Sequence, residues 1–195
     1  MKLLKNNFYD IIRLYINQIG IALFSLVLYT AVGMVDIDNL TLTLKILISV
    51  FAIIFYLVLL YTVMWEIGAK DKIRVDAGRL ERSRFKGLVM GLFANVPNFI
   101  CAALCIIGQG VFMLSGIEGF KTLGAIFNLI IRLFTSMYLG VLQGVFAGFA
   151  DNTDLYFLLQ SIGFMLMPLL AVLITHFGYA LGMKEKKLFS FKNKS

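Results

Sequence analysis

Two stretches decide what this chain can fold into. Ile46–Trp65 is twenty residues without a charge, and Leu155–Met183 is twenty-nine with no Asp, Glu, Lys or Arg. About 20 apolar residues at 1.5 Å rise match the roughly 30 Å hydrocarbon thickness of a bilayer. A soluble core helix of that length shows a polar face, and these show almost none. Backbone polar groups in lipid must be paired within their own segment, so such runs are helices. The rest of the chain agrees, with 60% of its 195 residues hydrophobic and 15% charged, against about 45–50% and about 25% in soluble domains. The fold class is therefore all-α: a polytopic transmembrane helical bundle, a single integral membrane domain over residues 1–195. It has five membrane-embedded segments plus interfacial helices.

The segments are placed at about 18–35, 44–66, 87–114, 122–150 and 155–183. Residues 1–18 read as an amphipathic helix, with Leu4, Phe8, Ile11 and Tyr15 on one face. It either lies in the interface or continues the first span. The start Met1–Lys5 resembles the basic region of a signal peptide, but Asp10 and Arg13 interrupt the apolar stretch that such a peptide requires, so the first span is expected to be retained. Glu66 to Lys86 carries seven basic and four acidic residues. It reads as a cytoplasmic basic loop, 67–86, in which Ile73, Ala77 and Leu80 mark a short helix along the membrane surface. Acidic turns stand at Asp36–Asn39 and Asp151–Asp154, the latter offering Asp154 as N-cap or first-turn acid.

Lys and Arg near span ends favour the cytoplasmic side. The three basic blocks are the N-tail, the 67–86 loop and the lysine-rich tail from Lys184. Placing all three inside puts both acidic turns outside, with the N-terminus cytoplasmic. Five simple crossings forbid this, because an odd count separates the two tails. One segment then has to dip, and 87–114 is the expected one: Pro97 removes a backbone donor and Gly108-Gln109-Gly110 offers a second break. The alternative is five ordinary spans with the tail outside.

An ionisable residue within a span is costly and a functional candidate by default. Arg132 is the clearest, and Asn128, Thr135, Ser136 and Gln143 share its arc on a continuous helix. It either meets a ligand or snorkels to headgroups. Asn95 and Asn98 flank Pro97, as in broken helices that line transport sites, or stabilise a simple kink. These five, Asn95, Asn98, Asn128, Arg132 and Gln143, are the candidate ligand or polar-pathway residues. Gly140, Gly144 and Gly148 form two overlapping GxxxG steps and are the candidate packing residues, with Gly87-Gly91 and Gly178-Gly182 also matching. Arg74, Arg79, Arg82, Arg84 and Lys86 are the candidate surface for anionic lipid headgroups or a protein partner at the loop.

Other classes find no support. The formal charge of +7 sits in short blocks between apolar runs, which topology explains without nucleic acid. With one histidine, His176, and no HExxH, GxSxG or Walker sequence, no catalytic residue is assigned and an enzyme is not expected. Cys101 and Cys105 share a helical face, but a structural zinc site takes four ligands, so neither a metal nor a cofactor is expected. The expectation is a small transporter or the membrane subunit of a transport complex. The alternative is a non-transporting interaction or scaffold protein that binds a cytoplasmic partner or anionic lipid through its loop and tail. Richness in Lys, Ile and Asn suggests a bacterium, and so a multi-pass protein of its cytoplasmic cell membrane.

Overall fold

The computed structural model describes residues 7–34 and 38–185, and among these the only regular structure is helical. The order is α1 (Phe8–Gly33), α2 (Asp38–Asp76), α3 (Lys86–Ser115) and α4 (Glu118–Phe134). A 3-10 turn (Ser136–Tyr138) leads to α5 (Leu139–Phe146), a second turn (Ala147–Phe149) and α6 (Thr153–Gly182). Four helices, α1, α2, α3 and α6, are long and apolar enough to cross a membrane. Their outward surface is apolar: Leu23, Val27, Phe51, Ile54, Ile100, Ile107, Leu166 and Leu173 are each more than half exposed. A belt of that kind has no place on a soluble monomer. The architecture is that of a multi-pass membrane protein.

Contacts between glycines and neighbouring helices fix the chain directions. Gly178 lies against Tyr61 and Met64, and Gly182 against Trp65 and Ala69, so α6 runs parallel to α2. Gly87 faces Thr175–Tyr179 and Gly91 faces Val172 and Thr175, while Cys105 meets Ser161 and Gln109 meets Asp154. The last residues of α3 therefore lie level with the first of α6, and those two helices are antiparallel. Gly33 beside Lys45, with Gln18 bonded to Tyr56, makes α1 antiparallel to α2. Asn7, Asp76, Lys86 and Gly182 consequently share one end of the bundle, and Gly33, Asp38, Ser115 and Thr153 share the other. Small residues at these crossings let backbones approach closely, which is how helices gain van der Waals contact where lipid supplies no hydrophobic drive.

Because Ser115 and Thr153 lie at one end, everything between them leaves that end and returns to it. Gly116 turns the chain at φ 69°, a left-handed conformation that suits a residue without Cβ. α4 then descends antiparallel to α3, with Gly124 against Gly108 and Asn128 against Cys105. At Thr135 the helix breaks, and the two limbs are bent by 88°. α5 crosses α2, where Gly140 meets Lys45 and Ser49 and Gly144 meets Ile46, and it rises along α1 from Ser136 beside Ala22 to Gln143 beside Tyr29. Thr135 and Ser136 supply the break with partners. Thr135 Oγ1 donates to the Ile131 carbonyl at 2.5 Å, and Ser136 Oγ donates to the Ala22 carbonyl of α1.

Several expectations are corrected by this geometry. The dipping segment is 118–149, and 87–114 is one unbroken helix. Pro97 is absorbed because Asn95 Nδ2 donates to the Gly91 carbonyl at 2.9 Å and Asn98 Nδ2 to Asn95 Oδ1 at 3.1 Å, filling the gap with side-chain amides. The 122–150 segment is not one straight span, so Gln143 and Arg132 are not on a common helix face. The basic loop is shorter than 67–86, since α2 stays helical through Asp76 and only 77–85 is connection. No separate helix forms around Ile73, Ala77 and Leu80. α1 is continuous from Phe8, so the amphipathic N-terminal residues from there extend the first span. Residues 1–6, 35–37 and 186–195, with most of the lysine tail and part of the first acidic turn, lie outside the described residues.

Candidate functional site

α4 is the most one-sided of the helices in polarity, and its polar face does not turn to lipid. Lys121, Gly124, Asn128 and Arg132 recur at spacings of three and four, which stacks them on one face. That face closes a cavity of about 600 Å³ against α3 and α6, lined also by Cys105, Gln109, Thr153, Asp154 and Phe157. The site lies at the end of the bundle where the acidic turns are, and reaches inward along the descending limb.

From the mouth inward the groups are ordered by chemistry. Asn152 caps α6, its side chain accepting from Leu155 N at 3.1 Å, and Asp154 occupies the first turn. Gln109 Nε2 donates to Asp154 Oδ1 at 3.1 Å, tying the ends of α3 and α6. Lys121 Nζ stands 4.6 Å from the Phe112 ring centroid. Deeper, Ser161 Oγ donates to the Phe157 carbonyl at 2.7 Å and sits 2.8 Å from Cys105 Sγ, whose thiol donates to the Gly124 carbonyl at 3.4 Å. Asn128 Nδ2 points at the same sulfur from 3.6 Å.

Arg132 forms the floor. Its Nη2 donates to Gln160 Oε1, and its guanidinium lies 5.3 Å from the Phe157 ring centroid. Gln160 is held from behind by its own Nε2 donating to Tyr156 Oη at 3.4 Å. The Nε–H of Arg132 is buried without a partner, and no carboxylate ion-pairs with the guanidinium among the described residues. Gln160 lies seven residues into α6, about 10 Å below its start. The cation's hydrogen-bonding partner is a neutral amide and it lies against a ring face, while Asp154 near the mouth is the one acid in the cavity lining.

Of the five candidate polar-pathway residues, Asn128 and Arg132 meet in this cavity. Asn95 and Asn98 are buried within the turn around Pro97 and line no part of it. Gln143 is on the returning limb, beside Tyr29 of α1. A single path through all five does not form. Gly140 and Gly144 are in close contact with α2, whereas Gly148 has open space where a Cβ would stand and packs against nothing. Arg79, Arg82 and Arg84 are exposed, and Arg74 has 66% of its side chain exposed. Lys86 is a correction: it is 5% exposed, and Nζ bonds Asp71 Oδ2 at 2.6 Å while Tyr179 Oη donates to the same oxygen at 3.1 Å. It locks α3 to α2 and α6, and presents nothing to lipid.

Among the polar cavity residues that sequence reasoning did not assign to a site are Lys121, Gln109 and Asp154. Lys121 had a usable signal, since it stands seven before Asn128 and eleven before Arg132, in one helical row. The other two carry no such signal, because only tertiary packing brings them to α4. Compared with known protein families, with characterised proteins and with solved structures, the chain matches none.

Proposed function

We propose that the chain is a small transporter, or the membrane subunit of a transport complex, and that it takes a small anionic solute into the cavity beneath the re-entrant hairpin. The observation that carries this is Arg132: a cation deep in the bundle, beside about 600 Å³ of open volume, held by a neutral amide and an aromatic ring. A half-buried guanidinium without a carboxylate partner is open to an incoming carboxylate or phosphate, which supplies the missing charge with bidentate geometry. Phe157, Leu129 and Ala125 give the solute an apolar wall, and Lys121 at the mouth attracts it. A helix broken at mid-depth, with its polar groups lining a cavity, is a device of membrane transport sites.

In this reading the membrane is a bacterial cytoplasmic one. The end bearing Arg74–Lys86 faces the cytoplasm with both tails, and the cavity opens on the outer face. The test is flux into proteoliposomes of radiolabelled lactate, succinate and inorganic phosphate, with wild type beside Arg132→Leu and Arg132→Lys. Wild type is expected to move at least one of them above empty liposomes, Arg132→Leu to fall to background and Arg132→Lys to retain part of the rate. Equal flux for wild type and Arg132→Leu refutes the reading.

A further inference from the structure

At the other end of the bundle lies a second recess, larger than the first at about 810 Å³, and walled by the 77–85 connection. Its lining holds Arg74, Arg79, Arg82 and Arg84 around a floor of Asp71, Lys86 and Tyr179. We propose that this recess is a binding site for a phosphate group, whether borne by a phospholipid headgroup or by a soluble phosphate.

Three observations carry it. The first is charge. Asp71 is already satisfied by Lys86 at 2.6 Å and by Tyr179, with Arg74 3.9 Å away, which leaves Glu81 as the one further acid among the lining residues. Arg79, Arg82 and Arg84 form no ion pair among the described residues. Residues 1–6 and 186–195 contain no Asp or Glu with which to neutralise them. The second is residue choice. Four of the chain's six arginines fall between positions 74 and 84, whereas the N-terminal six residues and the segment from Lys184 use lysine alone. Topology is set by either cation, but a planar five-donor fork is what phosphate recognition selects. The third is preorganisation. Gly78 turns at φ 68°, and Arg79 N donates back to the Arg74 carbonyl at 2.9 Å, which pins the start of the connection. Phe85, beside Arg84, stacks on His176 with centroids 6.2 Å apart, which pins its end. The arginines are thus presented from a fixed frame, and less entropy is lost on binding.

The test uses the full chain purified in neutral detergent. Inorganic pyrophosphate is titrated and followed by calorimetry. Retention of phosphatidylglycerol against phosphatidylcholine is followed by native mass spectrometry. Wild type is expected to bind pyrophosphate saturably or to retain phosphatidylglycerol selectively; the first outcome assigns a soluble phosphate, the second a headgroup. Replacing Arg79, Arg82 and Arg84 by Gln is expected to weaken the positive arm by about tenfold or more. Glu81→Gln, which leaves the fold's buried pairs intact, is expected to tighten it severalfold. The proposal is overturned if wild type binds neither probe, or if the triple variant binds as wild type does.

Discussion

Two cations inside the bundle, one buried and one half-buried, behave in opposite ways, and the difference lies in what each has for a partner. Lys86 has Asp71 at 2.6 Å, with both side chains almost wholly buried. Removing one member of such a pair leaves an uncompensated charge, at a cost of about 3–5 kcal/mol, while replacing both by apolar residues is often nearly neutral. Lys86→Ala is therefore expected to lower unfolding stability in detergent by about that amount, and the double variant Asp71→Leu/Lys86→Met to recover most of it. A neutral Lys86→Ala contradicts this assignment. Arg132 has no such partner, so Arg132→Leu is expected to leave thermal unfolding unchanged or raise it while ending anion flux. Arg132 was legible in the sequence because it is a lone cation in an apolar run. Lys86 was not: it is the last of seven basic residues before a span, and its partner lies fifteen positions back, across a connection whose path the sequence does not reveal.

Among the elements, hydropathy located every long helix, since lipid imposes a length and an apolar surface that soluble folds do not. It failed at the two ends of α2 and at the break in α4. Charged residues Glu66 to Asp76 look like loop in a hydropathy profile, yet a helix continuing past the bilayer into water needs no apolar residues. Glu66 with Lys70, four residues apart at 2.6 Å, supports that overhang. The break has no proline or glycine within Thr135–Tyr138. It is imposed from outside, by Ser136 bonding α1 and by Gly140 seating against the Lys45 carbonyl of α2. Conversely, Pro97 advertises a break that two asparagines absorb. Gly140→Ala places a methyl on backbone that cannot yield, and is expected to lower the melting temperature by several degrees. Gly148→Ala meets open space and is expected to leave it unchanged. Equal effects at the two positions contradict the seating of α5 on α2.

For the molecule as a whole, the charge pattern posed a problem that the fold resolves. Three basic blocks on one side would require an even number of crossings, and among the described residues four helices are long and apolar enough to cross, while the 118–149 hairpin begins and ends at one end of the bundle. The sequence carried the parity argument but pointed to the wrong segment. The descending limb of that hairpin lines the cavity, with the Arg132 face of α4 against Gln160 and Phe157 of α6. The two ends of the hairpin are therefore expected on one side of the membrane. The direct measurement is labelling with a membrane-impermeant maleimide, in intact cells and after permeabilisation, of Gly119→Cys, Asn152→Cys and Ser83→Cys. Each is made in a background where Cys101 and Cys105 are replaced by Ala. Positions 119 and 152 are expected to label from the same side and Ser83 from the opposite one. Labelling of 119 and 152 from opposite sides makes 118–149 a crossing and contradicts the re-entrant hairpin.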